Sequence, residues 1–360
     1  MSLAPQDTTT GTARAERSDT VTTAQHEDIV TDIAAFAAAQ WSRALGAGVD
    51  PCEYRRATEG LRTVADWEAV GTAAARAHLE RARTAASPRS AGEHLLAAAR
   101  WFHVTSLAHG AGARRAAADA DEALERALRI LEPGARRITG DGFTGWLRGP
   151  ADARATVIVV PGLDSAKEEF LDVVTALLDR GAAVFAMDGP GQGVLAGRST
   201  LSPRYEQVVA RVVDALGVER VGVVGMSLGG YFAARAAALE GRVAAAATVS
   251  GPSRLRWAEL PEPVRQILAR RCGGTEAAEA FTDAVDVTGL APRITVPLLV
   301  VDGGQDIMPG VTGSGPLAEA APHATYLRVP HGDHLLGNAR PDWLPRLADH
   351  LVNTLTEPAG

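Results

Sequence analysis

The chain has 360 residues and a formal net charge of −7, and no apolar run approaches the roughly 20 residues that a membrane-spanning helix needs. This length allows a large buried core and two domains, whereas the negative charge argues against a nucleic-acid partner and the short apolar runs argue against a membrane partner. Two distant cysteines, no zinc-site spacing and no apolar signal-peptide core predict reduced thiols, no metal and a cytoplasmic protein.

The first third of the chain is predicted to be helical after a disordered tail. Residues 1–25 are rich in Thr, Ala, Ser and charged residues and have almost no large apolar side chains, which is typical of disorder. Residues 26–133 carry apolar side chains at helical spacing, which predicts a domain of four or five amphipathic helices. Three histidines in this region are predicted to be ordinary surface or core residues and not substrate contacts: His94, His103 and His109.

Residues 134–357 have the pattern of a mainly parallel sheet covered by helices. A hairpin is predicted around residues 140–142, and six short apolar runs that follow are mostly separated by helical stretches. These runs predict buried strands at residues 156–160, 183–187, 221–224, 243–249, 296–301 and 326–329. Eight strands in this order, with a serine turn after the fifth, match the α/β-hydrolase fold. An insertion at about residues 251–292 is predicted to be a short lid.

The sequence around the fifth predicted strand indicates a nucleophile elbow. An apolar strand leads into Gly225-Met226-Ser227-Leu228-Gly229, and an Ala-rich helical run follows. Such a turn holds its serine in a strained conformation with the hydroxyl exposed, so the residues two before and two after it must be small. Two glycines occupy these positions, and Ser227 is therefore the predicted nucleophile.

A serine hydroxyl needs a base to activate it and an acid to orient that base, and in this fold the acid precedes the histidine in the chain. Asp306 follows the seventh predicted strand and His334 follows the last, which places both at the edge where ligands bind. The alternatives are Asp302, which abuts its strand like a structural turn residue, and His331. The Gly-Asp-His sequence before two leucines favours His334, so the predicted triad is Ser227, His334 and Asp306.

Backbone amides of two loops are predicted to stabilise an oxyanion. One amide is that of Met226 or Leu228, with Leu228 favoured because the residue after the nucleophile is the usual donor. The second is that of Leu163, in the loop after the third strand. In the same loop, Gly162 lets the backbone approach the substrate, and Asp164 is a predicted substrate contact.

Two neighbouring features are predicted to be structural. Residues 188–193 read Asp-Gly-Pro-Gly-Gln-Gly but lack the lysine and the spacing of a phosphate-binding loop, which predicts a turn bordering the site. Lys167 is the only lysine of the chain, and it directly follows the loop that carries Leu163. It is predicted to form a structural ion pair and not to take part in catalysis.

Three motifs together give a family resemblance: Pro-Gly-Leu-Asp-Ser-Ala-Lys-Glu-Glu at residues 161–169, and the segments at 188–193 and 225–229. Behind a helical N-terminal domain, they resemble the FrsA-like branch of the α/β-hydrolases over about residues 27–355. The pattern is similar to that of 2,6-dihydroxypseudooxynicotine hydrolase and of polyketide chain-shortening hydrolases. The resemblance implies hydrolysis of a C–C bond in a ketone or polyketide-type small molecule held between the two domains, without a cofactor.

The resemblance also implies a lid residue and leaves alternatives open. The pyridine-degrading member uses a glutamate just after a lid tryptophan, so Trp257 and Glu259 are expected substrate-binding residues, with Glu259 one residue out of that register. The same parts would serve an esterase or deacylase, or a lyase in which His334 eliminates a carboxylate such as acetate. A lesser alternative is a non-catalytic binding protein, and a homodimer through the helical domain is a further expectation.

Overall fold

The structure is a computed structural model that describes residues 32–357, so the tail predicted at residues 1–25 lies outside the described residues. The helices are α1 (Ile33–Gly46), α2 (Pro51–Thr58), α3 (Val64–Arg83), α4 (Pro88–Ser106), α5 (Ala113–Leu131), α6 (Leu171–Leu178), α7 (Glu206–Leu216), α8 (Leu228–Leu239), α9 (Glu262–Cys272), α10 (Thr275–Ala284), α11 (Gly315–Ala320) and α12 (Arg340–Thr356). The strands are β1 (Arg136–Gly140), β2 (Phe143–Arg148), β3 (Thr156–Val160), β4 (Ala183–Asp188), β5 (Val221–Met226), β6 (Val243–Val249), β7 (Arg254–Leu255), β8 (Leu298–Gly303), β9 (Val311–Thr312) and β10 (Ala324–Val329).

Within residues 32–357, five helices precede the first strand, in agreement with the apolar spacing. Four of them begin at side chains that accept the amide of the third helical residue, which is a strong start signal: Asp32, Asp50, Thr63 and Ser87. The helices pack around the buried rings of Tyr54, Trp67 and Trp101, and Trp146 of β2 joins the same cluster. The helical region is therefore in direct contact with the sheet.

The main sheet has the strand order β1-β2-β4-β3-β5-β6-β8-β10. β2 pairs antiparallel with β1 and β4, and every further neighbouring pair is parallel. Along β3, Val157 and Val159 face α6 and α12, whereas Ile158 and Val160 face α7 and α8, because successive side chains of a strand point to opposite faces. The mainly parallel, eight-stranded α/β-hydrolase fold predicted from the sequence is confirmed.

Parallel strands bring the residues of interest to one edge of the sheet. The loops after β3, β5, β8 and β10 all leave the sheet at the carboxyl ends of parallel strands. The segment predicted as a lid contains β7, α9 and α10, and β7 pairs antiparallel with β9. β8 begins at Leu298, two residues later than predicted, because Pro297 has no amide to donate to the ladder. Within residues 32–357, no helix is both long and apolar enough to cross a membrane.

Candidate active site

Ser227 lies in a sharp turn between β5 and α8. Its backbone has φ 55° and ψ −128°, which is a strained conformation for a residue with a side chain. A Cβ atom added to Gly225 would lie 1.8 Å from the carbonyl oxygen of Gly229, and one added to Gly229 would lie 2.4 Å from the carbonyl oxygen of Val160. Only glycine fits at both positions, so the backbone has the elbow geometry that the sequence indicates.

The elbow predicts a large difference between two glycine substitutions. Gly225→Ala is expected to lower the free energy of unfolding by about 3 kcal/mol or more, because the new Cβ collides with backbone that cannot move independently. Gly241→Ala is the matched control, since no heavy atom lies within 4 Å of its added Cβ, and it is expected to change stability by less than about 1 kcal/mol. Urea unfolding of both variants measures the difference; equal stabilities would contradict the steric argument.

Ser227, His334 and Asp306 form a continuous chain of hydrogen bonds. His334 Nε2 is 3.0 Å from Ser227 Oγ, and His334 Nδ1 is 3.0 Å from each carboxylate oxygen of Asp306. Burial would raise the pKa of Asp306, but its hydrogen bond and charge interaction with His334, together with a hydrogen bond from Ser250, outweigh burial and hold that pKa below its ordinary value. Asp306 is thus ionised at neutral pH and orients the imidazole, whose other nitrogen faces the serine hydroxyl. This arrangement can remove the serine proton during a nucleophilic attack.

The alternative acid and base of the sequence analysis are bonded elsewhere. Asp302 accepts hydrogen bonds from the Ser314 amide at 3.0 Å and from the Tyr326 hydroxyl at 3.2 Å, and burial raises its pKa. His331 Nε2 is 3.2 Å from Asp342, on the exposed surface. The structure therefore brings Asp306 and His334 to Ser227, and it gives Asp302 and His331 other partners.

The predicted oxyanion donors lie beside the serine. Leu163 and Leu228 line the same cavity as Ser227, and Leu228 is the first residue of α8, where backbone amides have no acceptor within the helix. Met226 instead is fully buried at the end of β5, opposite Val249 of β6, and does not line the cavity. Gly162 also lies behind the cavity wall: its added Cβ would be 2.9 Å from Ser227 Cβ, so it contacts the elbow and not the space for a substrate.

A cavity of about 760 Å³ opens above Ser227. One wall is formed by apolar side chains of the segment predicted as a lid: Leu255, Leu260, Val264, Ile267 and Leu268. The loop after β8 adds Ile307 and Met308, whereas α1 adds the polar residues Gln40 and Arg43. The cavity therefore lies between the first helix, the insertion and the carboxyl edge of the sheet.

The structure corrects the expected positions of Trp257 and Glu259. Glu259 is exposed and pairs with Arg256 at 3.3 Å, and Trp257 packs beside the guanidinium of Arg265. Neither residue lines the cavity. The physical reason is that Leu255 and the other apolar residues of the insertion occupy the inner surface, which leaves the intervening turn on the outer side.

Asp164 lines the cavity, but its carboxylate is already bonded. Arg43 of α1 donates to both of its oxygens at 3.0 Å, and His109 Nε2 is 3.4 Å away. Arg43 also donates to Glu169 at 2.6 and 2.8 Å, and His103 Nε2 is 2.9 Å from the same carboxylate. Asp164 is therefore part of an ion cluster between α1 and the loop after β3, and its contact with a substrate stays a prediction.

Arg43 is not among the site residues predicted from the sequence, although one signal could have revealed it. Arg43 is the only charged residue of α1, a helix otherwise made of small, apolar and neutral polar residues. A lone arginine on such a helix is expected to have a carboxylate partner when the helix packs against a domain. The three predicted ordinary histidines do not line the cavity, and two of them contact the carboxylates of this cluster.

The ion cluster predicts a loss of stability in acid. Burial opposes ionisation of Glu169, but Arg43 and His103 outweigh burial and lower its pKa to about 2. A carboxylate with a lowered pKa stabilises the fold fully above its ordinary pKa of 4.5, and this contribution, roughly 3 kcal/mol, disappears as the pH falls towards 2.

Urea unfolding of the wild type and Glu169→Gln at several pH values measures this contribution. The difference in unfolding free energy between the two proteins is expected to be largest near pH 7 and to shrink below pH 4. Glu262→Gln is the matched control, because Glu262 is an exposed carboxylate on α9. A pH-independent difference for Glu169→Gln would contradict the prediction.

Lys167 forms the structural ion pair predicted from the sequence. Its Nζ lies 2.8 Å from Asp188, 2.8 Å from Asp121 of α5 and 2.7 Å from Glu168, and its side chain is almost completely buried. This cluster is a second ionic link between the helices and the sheet. In the described part of the chain, no group of three or more His, Cys, Asp or Glu residues could hold a metal ion.

The fold and the serine turn define the class of protein: the chain belongs to the α/β-hydrolase family. The sequence profile of this family, described as the alpha/beta hydrolase fold, matches residues 155–277. A curated relative, 2,6-dihydropseudooxynicotine hydrolase of Paenarthrobacter nicotinovorans, is 30% identical over 249 residues, which cover 62% of this chain and 67% of that protein. The chain is therefore an enzyme, and the family predicted from the motifs is confirmed.

Solved structures and fungal relatives agree with this assignment. The crystal structure of 2,6-dihydroxy-pseudo-oxynicotine hydrolase superposes with a TM-score of 0.77 at 27% sequence identity, covering 88% of this chain and 95% of that chain. A 20-hydroxy-prefusarin hydrolase of Gibberella moniliformis is 38% identical over 109 residues, or 27% of this chain and 26% of that protein. The match to this fungal protein thus spans about a quarter of its length.

Proposed function

We propose that this enzyme is a serine-dependent hydrolase that cleaves a C–C bond of a ketone or polyketide-type small molecule. The observation that carries the proposal is the hydrogen-bonded chain of Ser227, His334 and Asp306 at a cavity of about 760 Å³. The similarity to hydrolases named for 2,6-dihydropseudooxynicotine and 20-hydroxy-prefusarin supports the substrate class. The cavity volume lies within the range of about 300–1,000 Å³ that is typical of small-molecule sites.

The first step is addition of the serine to the ketone. His334 Nε2 accepts the proton of Ser227 Oγ while the oxygen bonds to the carbonyl carbon, and Asp306 stabilises the imidazolium that forms. The carbonyl electron pair moves to oxygen and gives a tetrahedral oxyanion. The amides of Leu163 and Leu228 stabilise it, and in a measured protease case one lost donor of this kind costs about 3 to 4 kcal/mol.

The second step breaks the C–C bond. The oxyanion collapses, the electron pair of that bond leaves as an enolate or a phenol-stabilised carbanion, and the His334 imidazolium protonates the carbon. The acyl group stays on Ser227 as an ester. His334 then removes a proton from water as the water oxygen attacks this ester. The second tetrahedral intermediate collapses, the bond to Ser227 Oγ breaks, and His334 returns the proton to Oγ, which gives a carboxylic acid and the free serine. An ester substrate would use the same groups and release an alcohol.

The proposal assigns parts of the chain to separate tasks. We infer that residues 26–133 form a cap domain, that residues 134–357 form the catalytic domain, and that residues 251–292 form a lid. The apolar wall from the insertion and the contacts of Arg43 with Asp164 support this division, because both border the cavity. A homodimer and a cytoplasmic location stay predictions.

The test of the proposal is covalent labelling of Ser227. Intact-protein mass spectrometry after incubation with a fluorophosphonate is expected to give one adduct on the wild type and none on Ser227→Ala, because only an activated serine displaces fluoride from phosphorus. Incubation with a panel of aryl β-diketones and aryl esters then separates C–C from ester hydrolysis by the products. A folded wild type without an adduct would contradict the serine mechanism, and turnover of the esters alone would favour an esterase.

A further inference from the structure

The loop that carries Leu163 lies between two other loops at the edge of the sheet. β3 is flanked by β4 on one side and β5 on the other, so residues 161–165 lie between the loop at residues 188–193 and the Ser227 elbow. On the β5 side, Gly162 packs against Ser227. On the β4 side, its neighbour is Gln192, a side chain with no exposed surface.

Both polar atoms of the Gln192 side-chain amide form hydrogen bonds with this loop and its surroundings. Its Nε2 donates to the carbonyl oxygens of Pro161 at 2.6 Å and Gly162 at 2.8 Å. Its Oε1 accepts from the Gly189 amide at 3.1 Å and from the Tyr205 hydroxyl at 2.7 Å. Carbonyl oxygens only accept and backbone amides only donate, so the amide group has one orientation that satisfies all partners. Burial raises the pKa of Tyr205, which keeps its hydroxyl protonated as a donor.

The contact with Gly162 determines where the next amide points. The carbonyl of Gly162 and the N–H of Leu163 belong to the same planar trans peptide, in which the two groups point in opposite directions. Gln192 holds this carbonyl towards its own side-chain amide. The N–H of Leu163 therefore points away from Gln192, and Leu163 borders the cavity that Ser227 also lines.

We infer that Gln192 is a positioning residue of the oxyanion hole, because its hydrogen bond to the Gly162 carbonyl presents the Leu163 N–H to the developing oxyanion. This inference rests on the proposed serine mechanism. Gln192 is fully buried and does not line the cavity, so it acts through the peptide and not on the substrate. Rotation of that peptide would break a buried hydrogen bond and leave an unpaired amide, so the donor is held in place before the substrate arrives.

Other residues of the loop at 188–193 hold the chain just after this peptide. The Gly193 amide donates to the Ser165 carbonyl at 3.3 Å, and Asp188 accepts from the Lys167 amide at 2.9 Å. Gln192 contacts the start of the segment, at Pro161 and at the peptide that carries the proposed donor. The motif at residues 188–193, predicted only to be a turn bordering the site, thus has a direct connection to the proposed chemistry.

The experiment measures fluorophosphonate inactivation of full-length Gln192→Leu and Gln192→Glu as a function of probe concentration. The maximal rate, kinact, reports the transition state, whose phosphoryl oxygen needs the oxyanion donors, whereas KI reports binding of the unreacted probe. Both variants are expected to lower kinact by about 100-fold, the effect of one lost oxyanion donor, and to change KI by less than about threefold. Gln192→Glu keeps the size of the side chain but presents a carboxylate to two carbonyl oxygens.

Two control variants separate positioning from loss of stability. Thr282→Val removes another fully buried hydrogen bond, from Thr282 to the Ala278 carbonyl at 2.7 Å, and is expected to lower the melting temperature without changing kinact. Tyr205→Phe removes one partner of Oε1 but leaves Nε2 on the Gly162 carbonyl. It is expected to lower kinact much less than Gln192→Leu does.

The outcomes distinguish this inference from the function on which it rests. If the wild type reacts and folded Gln192→Leu or Gln192→Glu reacts within about threefold of its kinact, the inference about Gln192 is wrong and the serine mechanism stands. Proportional changes in kinact, KI and melting temperature would assign Gln192 a purely structural role. A wild type that forms no adduct would overturn the proposed mechanism, and the oxyanion role with it.

Discussion

Ser227→Ala is expected to lower kcat on the true substrate by about 10⁴-fold to 10⁶-fold. The physical reason is that the covalent route needs an oxygen at this position, 3.0 Å from His334 Nε2. The residual rate would come from substrate binding and the oxyanion donors alone. Steady-state kinetics on a substrate identified with the β-diketone and ester panel measure the loss.

A matched serine tests whether the loss is specific. Ser202→Ala changes a loop serine that does not line the cavity, and it is expected to keep kcat within about twofold of the wild type. If Ser227→Ala keeps wild-type turnover, the serine is not the nucleophile, and the lyase with His334 as its base becomes the better explanation. Circular dichroism spectra and melting temperatures of both variants test whether unfolding causes the loss of kcat.

Asp306→Asn is expected to lower kcat by about 10⁴-fold while the fold is preserved. An asparagine at this position has nearly the same shape but can present an N–H to His334 Nδ1. The imidazole would then take the tautomer whose proton is on Nε2, which cannot accept the proton of Ser227. Loss of the carboxylate also removes the charge that stabilises the imidazolium.

Asp302→Asn is the matched control for this substitution. Asp302 bonds to Ser314 and Tyr326 and not to the imidazole, so the expected loss of kcat is less than about tenfold, the size of one or two neutral hydrogen bonds. A loss of about 10⁴-fold in Asp302→Asn together with an active Asp306→Asn would show that Asp302, and not Asp306, is the acid of the triad. Comparable, small losses in both would argue against a triad.

Local rules made the elbow and the sheet predictable from the sequence. The small residues at 225 and 229 are required by contacts within the turn itself and with the neighbouring strand. The Gly-x-Ser-x-Gly pattern therefore predicts the shape of the turn without knowledge of the rest of the fold. Continuous apolar runs gave the strands to within two residues because helices cover both faces of a parallel sheet. In this fold the acid and then the histidine follow the serine along the chain, and this order identified Asp306 and His334 as the candidate partners of Ser227.

Contacts between distant segments could not be predicted in the same way. Arg43 is 121 residues from Asp164 in the chain, and no local pattern states that the first helix reaches the loop after β3. The turn at Trp257 and Glu259 faced outward because apolar neighbours filled the inner wall, and sequence alone does not state which side of a short turn is inside.

The sequence by itself determined the fold and the family and predicted a nucleophile with two partners, because those features depend on backbone periodicity, small residues at a tight turn and chain order. Only the tertiary structure decided which carboxylates are already paired and which side chains line the cavity. It alone also showed that Gln192 donates a hydrogen bond to the peptide before Leu163. The physical reason is that hydrogen bonds and ion pairs depend on distances of about 3 Å between atoms, and these distances are set only when all elements pack together.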